Sequence, residues 1–344
     1  MTFKESLLWP LSVIYGGVAA VRARAYGKGI FRQRRLNGVV ISVGNLTVGG
    51  TGKTPMVLWI AERLFSEGKR VGILTRGYRG KTAAPESKTA GEPGIISTSD
   101  EVQLLKSRLG DRALFGIGAD RYKNGLALSG RGVEWFILDD GFQHLKLARN
   151  VDVVLIDTSM PFGGGHLLPA GRLREPRGAL KRADVVVITR SNHAPAIESV
   201  VRHYSSAPIF YARTELDSVR SRLGPQQTSA ELRGKALFAF CGIGNPGAFY
   251  SDLREWGFYI VGHKSFRDHH RFTAADMAEI ENEARKAGAL GLICTEKDGF
   301  NLPGAVASMN LWVCAISLLV DREEEFWRTV LEKAQSGASE GRQD

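Results

Sequence analysis

Short, unbroken apolar runs recur along the chain, and between them apolar residues return at helical spacing. Val39-Val40-Ile41-Ser42-Val43 predicts a buried strand, and Val71 to Thr75, Trp135 to Leu138, Val151 to Ile156 and Val185 to Thr189 repeat the pattern. From Lys53 to Glu67 the period changes. Val57, Ile60, Ala61, Leu64 and Phe65 share one helical face, Pro55 sits in the first turn and Gly68 stops the helix. Strands that are apolar on both faces and separated by helices predict a mainly parallel sheet covered on both sides, an α/β fold. A second series starts near Lys235. It predicts strands over Ala236 to Cys241, Phe258 to Val261, Leu290 to Thr295 and Leu311 to Ile316. Helices are predicted over Pro246 to Trp256 and over Ala274 to Ala287, the latter capped by Thr273.

The two series predict two α/β domains, 36–210 and a smaller 235–338, joined through a polar, turn-rich linker at 211–234. Lys81 to Gly94 reads as a mobile loop, and the tail after Ala334 as frayed. A length of 344 residues suits two cores, and 43% hydrophobic with 24% charged residues excludes a disordered chain. Cys241, Cys294 and Cys314 have no paired spacing, so neither a disulfide framework nor a zinc site is expected.

A net charge of +10 points to an anionic partner. Arg22, Arg24, Lys28, Arg32, Arg34 and Arg35 follow directly on the uncharged run Ser6 to Val21. That run is short for a bilayer span, which needs about 20 apolar residues. Pro10, Gly16 and Gly17 weaken it as a helix. Lys4 and Glu5 in the leading region, with no small-x-small site, argue against a signal peptide. An apolar segment followed by arginines fits an interfacial anchor on an anionic leaflet, and residues 1–35 are read so. A helix docked on the core fits the same residues.

The stretch VGNLTVGGTGKT, residues 43–54, ends like a phosphate-binding loop between a strand and a helix, although Thr47 stands where the usual pattern has its first glycine. Backbone amides around Gly49, Gly50, Thr51 and Gly52 would face phosphate oxygens, Lys53 would neutralise β/γ charge, and Thr54 would ligate Mg²⁺. ParA/MinD-like switch ATPases carry a lysine at the position of Val48, which weakens that alternative. Gly242-Ile243-Gly244-Asn245-Pro246-Gly247 fits a dinucleotide pattern, but no acidic residue ends the next strand, so a structural turn is expected.

Trp135 to Asp140 is an apolar strand ending in two aspartates, where a phosphate-loop protein holds its metal. Gln143 and His144 follow at the same sheet edge. Asp100, in Ser99-Asp100-Glu101, opens a helix over Glu101 to Leu109 and could be merely its N-cap. His269 and His270 fit acid–base chemistry or an ordinary surface loop equally well. Arg76, Arg172, Arg174 and Arg177 could each clamp phosphate.

In order, GNLTVGGTGKTP, TRGYRG, SDE, LDDGFQH, LPAGRLREP, FCGIGNP, DHHRF and TEKD span residues 44–298, and with them the chain resembles the tetraacyldisaccharide 4′-kinase family of lipid A biosynthesis. A small hydroxyl residue at Thr47 is usual in that family. The resemblance implies two P-loop-like α/β domains with the active site in the cleft between them, and an N-terminal membrane-associated helix. It implies transfer of the ATP γ-phosphate to the 4′-hydroxyl of a tetraacylated glucosamine disaccharide 1-phosphate, giving lipid IVA, with ATP and Mg²⁺ as cofactors. Asp100 would be the base and His269 its partner. Thr47, Gly49, Gly50, Thr51, Gly52, Lys53 and Thr54 would bind ATP, and Thr54, Asp139 and Asp140 would bind metal. Arg76, Glu101, Gln143, His144, Arg174 and Glu175 would support substrate or active site, with Lys297 and Asp298 unassigned. The family often has Gly at Ser99, and Pro at Val102 and Arg172. The expected setting is the cytoplasmic face of the bacterial inner membrane, as a peripheral monomer without a nucleic-acid partner.

Overall fold

The computed structural model describes residues 3–77, 99–222, 226–227, 229–304 and 308–339. The loop expected over Lys81 to Gly94 lies outside these. The first half contains α1 (Phe3–Gly27), β1 (Val39–Asn45), α2 (Lys53–Ser66), β2 (Val71–Thr75) and α3 (Asp100–Leu109). It continues through β3 (Ala113–Ile117), α4 (Arg121–Ser129), β4 (Trp135–Asp139), β5 (Val151–Asp157), β6 (Val185–Thr189) and α5 (Pro195–Tyr204). Next come β7 (Ile209–Ser221), β8 (Gln226–Gln227) and α6 (Ser229–Leu232). The second half holds β9 (Ala236–Cys241), α7 (Pro246–Glu255), β10 (Tyr259–Ser265), α8 (Ala274–Lys286) and β11 (Gly291–Thr295). The chain then forms α9 (Glu296–Gly299), β12 (Asn310–Val320) and α10 (Glu323–Ser339).

All described strands belong to one sheet, ordered β10-β9-β11-β12-β7-β6-β5-β1-β4-β2-β3, with β8 beside β7. Apart from the short β8, which is antiparallel to β7, pairing is parallel within each half. The join is antiparallel, β12 on β7 from Trp312↔Ser221 to Val320↔Ala212, with a register shift at Ala315/Ile316. Such an irregularity increases twist. The sheet curls until Gly244, just past β9, reaches the loop after β1, where a Cβ on Gly244 would lie 3.2 Å from the Gly50 nitrogen.

The stretch read as a linker is therefore corrected. Its first part is most of β7, whose pattern is hidden because only Ile209 to Ala212 are continuously buried, while Arg213 to Ser218 are exposed or half-buried. Backbone pairing with β12 holds that polar segment in place without apolar side chains. The C-terminal tail is also corrected, since α10 continues to Ser339. It buries Phe326, Trp327, Val330 and Ala334 against the main core, with the Phe326 ring 5.2 Å from those of Trp59 and Phe210.

The helix α1 runs unbroken through Pro10. Small residues dock it. Ser12 Oγ donates to the Leu167 carbonyl and accepts from the Ala170 amide, both at 2.9 Å, and Gly16 faces the Leu167 side chain without room for a Cβ. Leu7, Trp9, Leu11, Val13, Ile14, Val18 and Val21 stay exposed. Among the described residues no helix is long and apolar enough to cross a membrane.

Replacing the enclosed Phe326 by alanine removes the ring that seats α10. Phe326→Ala is expected to destabilise the fold by about 3–5 kcal/mol, read as a lower midpoint in equilibrium urea unfolding; an unchanged midpoint would show that α10 is dispensable.

Candidate active site

The phosphate loop follows β1, at the carboxyl edge of the parallel strands where α/β folds bind ligands. Gly52 caps α2 with φ 86° and no side-chain cap, which leaves the first amides of α2 free for an anion. Gly49, at φ 114°, needs the left-handed region and passes close to the Arg172 guanidinium. Thr47 has no such need. It is bridged antiparallel to Leu173, next to a hydrogen bond from the Val48 amide to the Arg172 carbonyl, and its hydroxyl accepts from Asn45 Nδ2 at 3.3 Å. Extended backbone tolerates a side chain there, which is why glycine is not required. Lys53 Nζ reaches Asn45 Oδ1 at 3.4 Å, the Gly49 carbonyl at 3.5 Å and Asp140 at 3.7 Å, all long contacts.

Asp139 ends β4 and is buried, with Thr75 Oγ1 donating to it at 3.1 Å. Burial, followed by the charges of Glu101 and Asp140, pushes its carboxyl up to about 7, against the pull of Lys53 and Thr75. Asp140, at φ 51°, turns the other way. Burial opposes its ionisation, but Lys53 and Arg174 hold it below the usual carboxylate range. Arg174 Nη1 donates to both Asp140 oxygens at 2.8 and 2.7 Å and to Gln143 Oε1 at 3.3 Å. Gln143 in turn donates to the Asn45 carbonyl at 2.9 Å, fixing the end of β1.

Asp100 is not the helix cap. Ser99 is, accepting from the Val102 amide, while Asp100 is the first residue of α3 and is buried. Both its oxygens lie 2.9 Å from His269 Nδ1, brought in from the second half. Burial would raise the Asp100 pKa, yet the His269 hydrogen bond and the Lys297 and His269 charges bring it below its ordinary value. The same bond raises His269, against burial. Each partner thus favours the charged form of the other. His269 has φ 60°, a left-handed backbone held by its amide donating to the Gly242 carbonyl at 2.9 Å. His270 is instead structural, bonded to Asp276 at 3.1 Å and stacked on Phe266.

A cavity of about 330 Å³ joins these groups. The phosphate loop, Glu101, Asp140, Arg174, His269 and Lys297 are among its polar lining residues, and Leu58, Leu104, Phe249, Trp256, Ile316 and Leu318 among its apolar ones. Ile243, Gly244 and Asn245 also line it, so the second glycine pattern is a turn, as expected, but one that packs over the phosphate loop. Asn245 Nδ2 donates to Ser159 Oγ at 2.8 Å, and Arg190 to Asp252 at 2.8 Å, both across the cleft.

Seven expected residues do not line the cavity. Asp100 reaches it through His269 and Gln143 through Arg174, Thr47 and Asp139 are chain neighbours of Val48 and Asp140, and Arg76, His144 and Glu175 complete the set. Glu175 is buried against Arg182 at 3.0 Å, and Arg182 lies over the Phe142 ring. Burial, then Arg121, Arg149, Arg22 and Lys146, drive His144 down to about 4. Arg76 follows β2 on an exposed position. Arg121 was not singled out from the sequence: it is buried at the start of α4, its Nε has no hydrogen-bond partner among the described residues, and its charge acts on Asp139 and Asp140. A lone arginine after Asp120 carries no sequence signal.

The pair makes a direct expectation. His269 should titrate above the ordinary value of about 6.5 in an NMR pH series and move back down in Asp100→Asn; an unaltered titration in that variant would dissolve the pair.

Comparison with known proteins agrees with this geometry. The sequence profile of the family described as Tetraacyldisaccharide-1-P 4′-kinase matches residues 4–335. A tetraacyldisaccharide 4′-kinase of Geobacter metallireducens is 42% identical over 90% of this chain and 92% of its own length. That of Desulfotalea psychrophila is 40% identical over 85% and 86%. A crystal structure of LpxK from Aquifex aeolicus in complex with ATP superposes with a TM-score of 0.71 at 31% identity, covering 96% of this chain and 99% of that one. The matches favour the kinase over the switch ATPase. The chain belongs to the tetraacyldisaccharide-1-P 4′-kinase family and is a phosphotransferase.

Proposed function

We propose that this kinase moves the γ-phosphoryl group of ATP to the 4′-hydroxyl of a tetraacylated glucosamine disaccharide 1-phosphate by direct in-line attack, with Asp100 as the base. The observation that carries this reading is the Asp100–His269 pair, assembled from both halves beside the phosphate loop. The sugar oxygen bonds to phosphorus, the bond from phosphorus to the β–γ bridging oxygen breaks, and ADP leaves as lipid IVA forms. A sugar hydroxyl is far too weak an acid to be deprotonated beforehand. Asp100 takes its proton only as the new bond develops, and His269 holds the carboxylate in line.

The 36–210 half supplies the triphosphate site, through the amides of Gly49 to Thr54 and through Lys53, with Thr47 shaping the loop. The apolar side chains of the lining suit the adenine ring. Thr54, Asp139 and Asp140 offer the hard oxygens that Mg²⁺ prefers, and Asp139 is a buried carboxylate without an arginine partner, which a divalent cation would suit. Bound there with the nucleotide, the ion would neutralise phosphate oxygens. Gln143 and Arg174 hold Asp140 in place, while Glu175 and His144 support the surrounding loop. Arg76 lies at the same sheet edge, open to the acceptor.

The exposed apolar residues of α1, followed by Arg22, Arg24, Lys28, Arg32, Arg34 and Arg35, support a peripheral anchor on the cytoplasmic leaflet of the inner membrane. That position brings the site to a lipid acceptor. Both partners of the base pair come from one chain, so a monomer suffices.

Labelled γ-phosphate from Mg-ATP should appear in tetraacyldisaccharide 1-phosphate in detergent and be lost in Lys53→Ala. Asp100→Asn is expected to lower kcat by about 10²–10⁴-fold while still binding ATP; a full rate in that variant would remove Asp100 as the base.

A further inference from the structure

Lys297 lines the same cavity as Lys53 but comes from the other half of the molecule. Its backbone is held firmly. Thr295 caps the short helix α9, Thr295 Oγ1 donates to Asp298 Oδ2 at 2.6 Å, and the Gly242 amide donates to Asp298 Oδ1 at 2.8 Å. Asp298 therefore ties α9 to the turn whose carbonyl fixes His269. Lys297 and His269 are placed by one piece of structure.

The Lys297 ammonium meets Glu101 Oε1 at 2.7 Å. An ammonium has three donors, so two are left for a ligand in the cavity. Glu101 and Asp100 of α3 and Asp268 of the loop before α8 surround it, and their charges outweigh burial and raise its pKa. Glu101 also feels Lys53, so the two ammonium groups act on a single carboxylate. Lys53 belongs to the donor side, while Lys297 stands beside Asp100, where the acceptor hydroxyl must be. A phosphoryl group passing from one to the other travels between the two cations.

We infer that Lys297 is a catalytic residue contributed by the second half, whose ammonium touches a non-bridging oxygen of the phosphoryl group during transfer. This rests on the phosphoryl-transfer reading above. No bond to Lys297 forms or breaks; it offsets charge on the three equatorial oxygens, which a group arriving from another domain can do only when the cleft is assembled. The competing role is a tether, in which Lys297 merely ties Glu101 of α3 to α9.

The full chain with Lys297→Met and with Lys297→Gln separates the two roles, because glutamine still donates to Glu101 and preserves the tether. Steady-state transfer is measured together with binding of Mg-ADP, with and without aluminium fluoride, which mimics the phosphoryl group in flight. Both variants are expected to lose about 10²–10³-fold in kcat, with the KM for ATP within about threefold of wild type and Mg-ADP still bound. The tightening that fluoride confers on the wild type should vanish. A Lys297→Gln variant with wild-type kcat, or with undiminished tightening, overturns the inference. If the methionine variant does not fold, the glutamine variant decides alone. Absence of labelled lipid with the wild-type protein would instead defeat the kinase reading, while fluoride tightening, measured without lipid, still reports on Lys297.

Discussion

The antiparallel pairing of β7 with β12 is the constraint on which the rest depends. Two parallel α/β halves could have been joined by a loose tether, with their loops free to part. Here backbone hydrogen bonds run continuously from β10 to β3, and the bulged, twisted join curls the second half over the first. The turn after β9 is thereby pressed onto the phosphate loop, closely enough that Gly244 has little space for a side chain. Everything chemical in the cleft follows from that approach.

The approach is also held electrostatically, by links that are few and directed. His269 meets Asp100, Lys297 meets Glu101, and Arg108 meets Glu296 at 3.1 Å, so that α3 is bound along its length to the second half. Exposed ion pairs contribute little, and buried ones must first overcome desolvation. At Asp100 the direction shows the outcome: burial is the largest single influence and still loses to the combined cations. At Asp139 burial prevails, reinforced by the charges of Glu101 and Asp140 and only partly opposed by Lys53 and the hydrogen bond from the neutral Thr75. Two aspartates of the same region are thus shifted in opposite directions, one toward its ionised form and one away from it.

Much of this was legible in the residues. The buried strands and the helix after the phosphate loop follow from apolar period alone, since a strand covered on both faces must be apolar throughout. The α8 cap at Thr273 is likewise local, confirmed as a reciprocal capping box with Asp276. What escaped was of two kinds. The polar part of β7 is stabilised by backbone pairing to a strand about a hundred residues later, so its side chains carry no periodic signal. The helix α10 was missed although Phe326, Trp327, Val330 and Ala334 lie at helical spacing, and its burial depends on Trp59 and Phe210 far back in the chain.

The sequence by itself determined the ingredients: a phosphate loop after a strand, an acidic strand end, a run of motifs in family order and an apolar segment ahead of arginines. Residue types alone left His269 and His270, and Asp100 as cap or base, undivided; only the family motifs pointed to Asp100 and His269. The pairing itself belongs to tertiary structure, because it depends on what lies across the cleft. His269 faces Asp100 while His270 turns to Asp276, and Ser99 takes over the capping that would otherwise have explained Asp100. Spacing along a chain fixes neighbours within an element; only the curl of the sheet brings residue 100 to residue 269, and with it the pair on which phosphoryl transfer is proposed to turn.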